Sequence, residues 1–232
     1  MIKITDTQVF GWEAAIRGMR NPMNSWEKSD STPCRFPDEC LVACHKKQCE
    51  GGDHFFIGPN DHDLMMRLVM AGDEHAKFMR MIHVSMDILA PLYWWKQADT
   101  YKVGFITNSC STMHCIHKRE FSHDDFSCEQ LLDEPVIDRD GRLVSSQASL
   151  NLTIDILNAY RKSFIDTKDK RYWWQMIQLL PDSHNQLRTC DTNYATLRKM
   201  YHQRKGHKLD EWHEFCDWIR ELPYSELITG ED

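Results

Sequence analysis

Asp99-Thr100-Tyr101-Lys102-Val103-Gly104-Phe105-Ile106-Thr107-Asn108-Ser109-Cys110-Ser111-Thr112-Met113-His114 is the stretch on which the reading of this chain turns. Its first half runs apolar like a buried strand, expected over 102–107. Its second half is a dense set of small hydrogen-bonding side chains with too few apolar residues to be core. A strand that empties into such a polar segment marks a candidate site.

Punctuation divides the rest of the chain. On the N-terminal side, Ile2 to Trp12 reads as a strand. Asp61 can cap a helix carrying Leu64, Met65, Leu68 and Val69 on one stripe, and Gly72 ends it. Asp73 is expected to open a second helix with Phe78, Ile82, Met86 and Leu89 facing inward until Pro91. Tyr93-Trp94-Trp95 follows, as core, as a subunit contact or as a stacking surface. On the C-terminal side, Asp138-Arg139-Asp140-Gly141 between two short apolar pairs predicts a hairpin. Helices are expected at about 149–164, with Leu152, Ile156 and Tyr160 in register, then at 171–180, 192–204 and 209–222, the last two separated by Gly206. The balance is helix-rich α+β, with a small mixed or antiparallel sheet flanked by helices.

The 232 residues are 41% hydrophobic and 11% aromatic, enough for one sizeable core, so a single domain over 1–232 is expected. Within it, about 23–58 reads as an irregular excursion, and loops of that length tend to be lids or binding loops. No apolar run reaches the roughly 18 to 20 residues needed to span a bilayer. Met1-Ile2-Lys3-Ile4-Thr5-Asp6 also lacks a secretory apolar region, so neither membrane insertion nor export is expected. The formal charge of -7 with mixed signs disfavours a nucleic-acid binder, because neutralising many phosphates needs a basic face.

The 9 cysteines are unevenly spread and suit reduced thiols in the cytoplasm better than a disulfide framework. Cys34, Cys40, Cys44 and Cys49 are separated by five, three and four residues, without the repeated close pairs of structural zinc sites, so no metal is expected.

Three features carry a family resemblance: Asn108-x-x-Ser111 after a strand, Leu180-Pro181 after a helix, and Asn193-Tyr194-Ala195-Thr196-Leu197 twelve residues beyond Pro181, with Arg204 eleven residues after Asn193. This order resembles the flavin-dependent thymidylate synthases. Their pattern is Arg-His-Arg, then Asn-Glu-x-Ser-x-Arg-Tyr, later Leu-Pro, and a helix that starts Asn-Ala-Arg-Ser-Leu and ends at an arginine. The resemblance spans roughly residues 60–222.

The resemblance implies a homotetramer with sites shared between chains. It further implies transfer of a one-carbon unit from methylenetetrahydrofolate to C5 of dUMP, reduced through FAD by NADPH. Such a protein contributes orientation and electrostatics rather than a covalent nucleophile. Carried over residue by residue, Arg204 and Ser111 become the catalytic candidates. Asn108, Ser109, Ser111, Thr112, His114 and Arg204 become the nucleotide-binding residues, and Tyr101, Lys102, Asn193 and His75 the cofactor-binding ones. Arg204 suits the role because its planar fork matches an imide carbonyl or a phosphate.

This chain also departs from the pattern. Tyr101-Lys102-Val103 stands in place of Arg-His-Arg, Ser109 in place of Glu, Met113-His114 in place of Arg-Tyr, and Ile177 in place of an arginine before Leu-Pro. Lys102, His114, His117, Lys118 and Arg119 could rebuild an anion pocket. The alternatives are a non-catalytic nucleotide-binding or sequestering protein on the same scaffold, or a flavin-independent nucleotide methylase.

Overall fold

The computed structural model describes residues 1–33 and 55–230. Cys34, Cys40, Cys44, Cys49 and most of the expected excursion at 23–58 lie outside the described residues. Nine α-helices are described: α1 Trp12–Arg20, α2 Pro59–Met70, α3 Leu92–Ala98, α4 Thr112–Cys115, α5 Ser146–Thr167, α6 Lys170–Leu179, α7 Tyr194–Arg204, α8 Asp210–Arg220 and α9 Glu226–Thr229. Strands β1 Lys3–Phe10, β4 His83–Pro91, β8 Asn185–Asn193 and β5 Ile106–Ser109 form one sheet in that order. Two further pairs are β2 Thr32–Pro33 with β3 Phe55–Phe56, and β6 Val136–Ile137 with β7 Leu143–Val144. The helix-rich α+β class with a small sheet is therefore what the chain forms. Among the described residues no helix is long and apolar enough to cross a membrane.

The described chain divides into two compact units. The first takes residue 1, 89–98 and 109–188; the second takes 2–33, 55–88, 99–108 and 189–230.

In the second unit, β4 corrects the helix expected after Asp73. Ile82 and Met86 do fall at helical spacing, but Val84, Met86, Ile88 and Ala90 are buried on alternate positions, the period of a strand. β-Branched Val84 and Ile88 favour the extended chain, and a 3-10 turn at Lys77–Met81 takes up Phe78 and Met79. Helix α1 was not expected from the sequence. Its buried face is Trp12, Ala15, Ile16, Met19 and Arg20, a stripe of helical period. Gly11 makes the corner before it at φ 95°, and a Cβ there would meet the Met81 carbonyl oxygen at 2.1 Å, so only glycine fits. Trp12 sits edge-on to Tyr194 and Tyr224, each at 5.3 Å between ring centroids.

Asp61 does not cap α2. Gly58 is the cap, Pro59 opens the helix, and Asp61 lies in the first turn, fully buried. Its carboxylate accepts from Arg20 Nε at 2.6 Å and from the Ser29 and Ser31 hydroxyls, each at 2.6 Å. Burial opposes the charge, yet those two hydroxyls and the guanidinium together hold the Asp61 carboxyl below its usual range. Capping comes instead from Asp30, which accepts from the Asn60 and Asp61 amides at 2.9 and 3.1 Å.

In the first unit, Ile116, Phe121, Phe126, Leu150, Ile154, Leu157 and Met176 form the core. The inward stripe of α5 is Leu150, Ile154 and Leu157 rather than the expected Leu152 register, and Leu152 is exposed. Trp94 and Trp95 are also core. They are 0% and 1% exposed, which removes them as a subunit contact or a stacking platform. The expected hairpin is present, and Asp138 Oδ1 closes its turn by accepting from the Asp140 and Arg142 amides at 2.8 and 2.9 Å. Val136, Ile137 and Leu143 on it are well exposed.

Candidate functional site

In the second unit a cleft of about 300 Å³ opens where residues 101–104 meet the start of α7. The expected strand at 102–107 begins later, at Ile106. Gly104, at φ 90°, packs so closely on α7 that a Cβ would lie 2.4 Å from Thr196 Oγ1. The Gly104 carbonyl accepts from Thr192 Oγ1 at 2.7 Å. Asn193 caps α7, its Oδ1 accepting from the Thr196 amide at 3.0 Å, and it lines the cleft together with Tyr101. Three cations, Arg80, Arg198 and Lys199, line the same cleft against one carboxylate, Asp73. Arg198 is partly engaged, donating from Nη1 to the Leu227 and Ile228 carbonyls at 3.3 and 3.1 Å.

Arg204, at the end of α7, is seated on aromatic rings. Its guanidinium carbon lies 4.8 Å from the Trp212 ring and 5.4 Å from the Tyr101 ring. Its Nε donates to the Tyr101 hydroxyl at 2.8 Å, and that hydroxyl donates to Gln203 Oε1 at 2.9 Å. A planar cation held this way is fixed in orientation. Lys102, His75 and Asn108 are exposed, and His75 lies 3.7 Å from Glu74.

The first unit holds a cleft of about 570 Å³ whose lining includes Ser111 and Thr112. Ser111 caps the short helix α4, accepting from the His114 amide at 3.2 Å. Gln186 ties the segment to β8, its Nε2 donating to the Cys110 carbonyl at 3.0 Å and to Thr112 Oγ1 at 3.4 Å. Lys118 and Arg119 also line this cleft, with Arg119 paired to the buried Asp125. Ser109 and His114 are exposed.

His184 is a lining residue that sequence reasoning missed. Its Nδ1 is buried without a hydrogen-bond partner among the described residues, and its ring meets Phe121 and Phe126 edge-on. Burial pushes its pKa down and Arg119 adds to this, while Asp125 pulls the other way, so the imidazole is neutral at pH 7. Its position just beyond Leu180-Pro181 was the available signal. Arg80 and Lys199 were missed too, because no motif marks them. Among the described residues no group of three or more His, Cys, Asp or Glu is placed to hold a metal ion.

No protein-family model matches the sequence, and no curated protein is significantly similar to it. Solved structures do match along the whole chain. Flavin-dependent thymidylate synthase ThyX from Helicobacter pylori, complexed with FAD and dUMP, superposes with a TM-score of 0.65 at 12% identity, over 98% of each chain. The UMP/dUMP methylase PolB from Streptomyces cacaoi, bound with 5-Br dUMP, superposes with a TM-score of 0.58 at 13% identity, over 99% of this chain and 94% of that one. Bound with 5-Br UMP, the same methylase gives 0.56 at 12% identity, over 99% and 93%. Matches this long at identities this low establish architecture, and the chain has the fold of the flavin-dependent thymidylate synthases.

Proposed function

We propose that this protein binds a pyrimidine nucleotide of the dUMP class and methylates its C5. In this reading methylenetetrahydrofolate gives the carbon, NADPH the reducing equivalents, and the working form is a cytoplasmic homotetramer. The observation that carries the proposal is the chain-long likeness to a thymidylate synthase solved with FAD and dUMP. The two clefts support it, since each collects residues that the sequence pattern had singled out.

In the first unit Ser111 and Thr112 supply neutral hydrogen-bonding groups. Asn108, Ser109 and His114 are the other nucleotide contacts proposed. Ser111 acts by hydrogen bonding rather than as a nucleophile, because its hydroxyl accepts from the His114 amide and meets no general base among the described residues. Arg204, oriented by Tyr101 and Trp212, is the proposed contact to a pyrimidine carbonyl. The donor set of the second unit's cleft fits the phosphate end of FAD: cations in excess of carboxylate, beside the Asn193 amide. Tyr101, Lys102 and His75 are the further cofactor contacts proposed. FAD, when bound, supplies the hydride chemistry that turns a transferred methylene into a methyl group.

A second reading is favoured by Tyr101-Lys102-Val103. Here the Tyr101 hydroxyl is occupied by Arg204 and Gln203, and Val103 is 93% exposed. A protein without the flavin triplet can bind the nucleotide and leave it unchanged.

The test is incubation with dUMP, UMP or dCMP together with the folate, FAD and NADPH, with products read by mass spectrometry. A nucleotide heavier by one methyl group at C5 supports methylation. Calorimetric binding without product supports the second reading, and absence of binding by every nucleotide removes both. If dUMP binds, Ser111→Ala is expected to weaken it by about 1–2 kcal/mol.

A further inference from the structure

We infer that His184 presents a neutral Nε2–H to the cleft of the first unit, and that this donor selects a ligand with a ring carbonyl over one with a ring amino group. Backbone and packing hold the residue in place. Its amide donates to the Pro181 carbonyl and its carbonyl accepts from the Leu92 amide, each at 3.0 Å. The ring stands edge-on to Phe126 and Phe121, with centroids 5.7 and 6.5 Å apart. Of its two nitrogens, Nδ1 is sealed from solvent without a hydrogen-bond partner among the described residues, whereas Nε2 is open and uncommitted. A buried N–H left unpaired is a rarer and costlier defect than an unpaired lone pair, so the single proton of the neutral ring belongs on Nε2. Burial disfavours a second proton on the ring.

The rest of the lining gives that donor something to select. Ile116, Phe121 and Leu187 supply apolar surface for a flat ring, and a cleft of about 570 Å³ admits a nucleoside monophosphate. The amide oxygens that follow His184 in the chain are already accepting: Asn185 Oδ1 from Ser127 Oγ and Gln186 Oε1 from Arg188 Nε, each at 3.0 Å. Gln186 Nε2 is held by the Cys110 carbonyl, also at 3.0 Å. Of the two carboxylates in the lining, buried Asp125 accepts from Arg119 and from the Ser122 amide, and Glu120 is exposed. Beside His184, then, a donor is offered and the acceptors are engaged. A ring oxygen pairs with Nε2–H, while an amino group at the same position faces another donor and stays unpaired. Such a mismatch discriminates more strongly than a small change of shape in an apolar pocket. The inference rests on the reading above for the nucleotide; what it adds is the residue that tells a uracil from a cytosine.

The test is calorimetric titration of the full chain with dUMP and dCMP, for wild type, His184→Gln and His184→Phe. Wild type should bind dUMP about tenfold or more tighter than dCMP. Glutamine carries its amide near the position of Nε2 and can turn either a donor or an acceptor to the ligand. His184→Gln should therefore keep dUMP affinity within about threefold and bring dCMP close to it. His184→Phe should lose about tenfold for dUMP and leave dCMP nearly unchanged. A purely structural role would move both nucleotides together. Nitrogen NMR of the imidazole rings at pH 7, with the His184 signals identified by their absence from either variant, should show the proton on Nε2 and Nδ1 bare. A proton on Nδ1, equal affinity of the wild type for dUMP and dCMP, or a preference for dUMP that both variants retain overturns the inference and leaves nucleotide binding standing. Absence of binding by both nucleotides overturns it together with the reading on which it rests.

Discussion

Arg204 shows how one residue can be legible in sequence and still carry an unforeseen environment. Its spacing from Asn193 marks it as a candidate for binding, but nothing local reveals that it lies over Trp212 and against the Tyr101 hydroxyl. That bed alters what substitution should do. Arg204→Lys keeps the charge but loses the Nε hydrogen bond and the flat stacking surface, so stability should fall by about 1–2 kcal/mol in a chemical-denaturation midpoint. If Arg204 also meets a nucleotide, calorimetry should show dUMP affinity falling by roughly tenfold as well. A lower midpoint with unchanged affinity would assign the arginine to packing alone. His184 was harder to read, because its burial comes from Phe121 and Phe126, about sixty residues earlier in the chain.

Among the elements, those punctuated by caps were legible and those defined by long-range partners were not. Helices α5, α6 and α7 begin at Ser145, Asp169 and Asn193, side chains that each accept a hydrogen bond from the first turn. Strand β8 carries no apolar alternation, since Cys190 and Thr192 are its buried residues, and it reads as a loop until β4 and β5 flank it. Helix α2 depends on a different device, the buried Asp61 that gathers Arg20, Ser29 and Ser31. Asp61→Asn should cost about 3–5 kcal/mol, because it strands the Arg20 guanidinium in the interior. The carboxyl is held below its ordinary pKa, so the unfolded chain takes up its proton first as pH falls. The stability this group contributes is therefore complete above about pH 4 and is lost as pH drops through the folded-state value. Urea midpoints measured from about pH 6 down to 3 should show that loss in the wild type, and Asp61→Asn should lack this part of it.

At the scale of the whole molecule, the two aromatic runs expected to drive assembly, Tyr93-Trp94-Trp95 and Tyr172-Trp173-Trp174, differ in exposure. Trp94 and Trp95 are interior, whereas Trp174 is 43% exposed and Leu152 60%. The proposed homotetramer should give a light-scattering mass four times the 27.4 kDa chain, and a single-chain mass at micromolar concentration would remove sites shared between subunits. The β6–β7 hairpin has a separate consequence. Its turn displays Arg139 and Arg142 to solvent, an ordinary target for trypsin. On either side of that turn the first unit is stitched by contacts that do not pass through it. Asn158 exchanges hydrogen bonds with the Phe121 backbone at 2.8 and 2.9 Å, and Arg161 Nε donates to the His117 carbonyl at 3.1 Å. Brief digestion should therefore give two fragments on a denaturing gel that elute as one particle without denaturant. Two separately expressed polypeptides, divided at this turn, should assemble into the same fold, making the hairpin a natural place to split the protein into complementing halves.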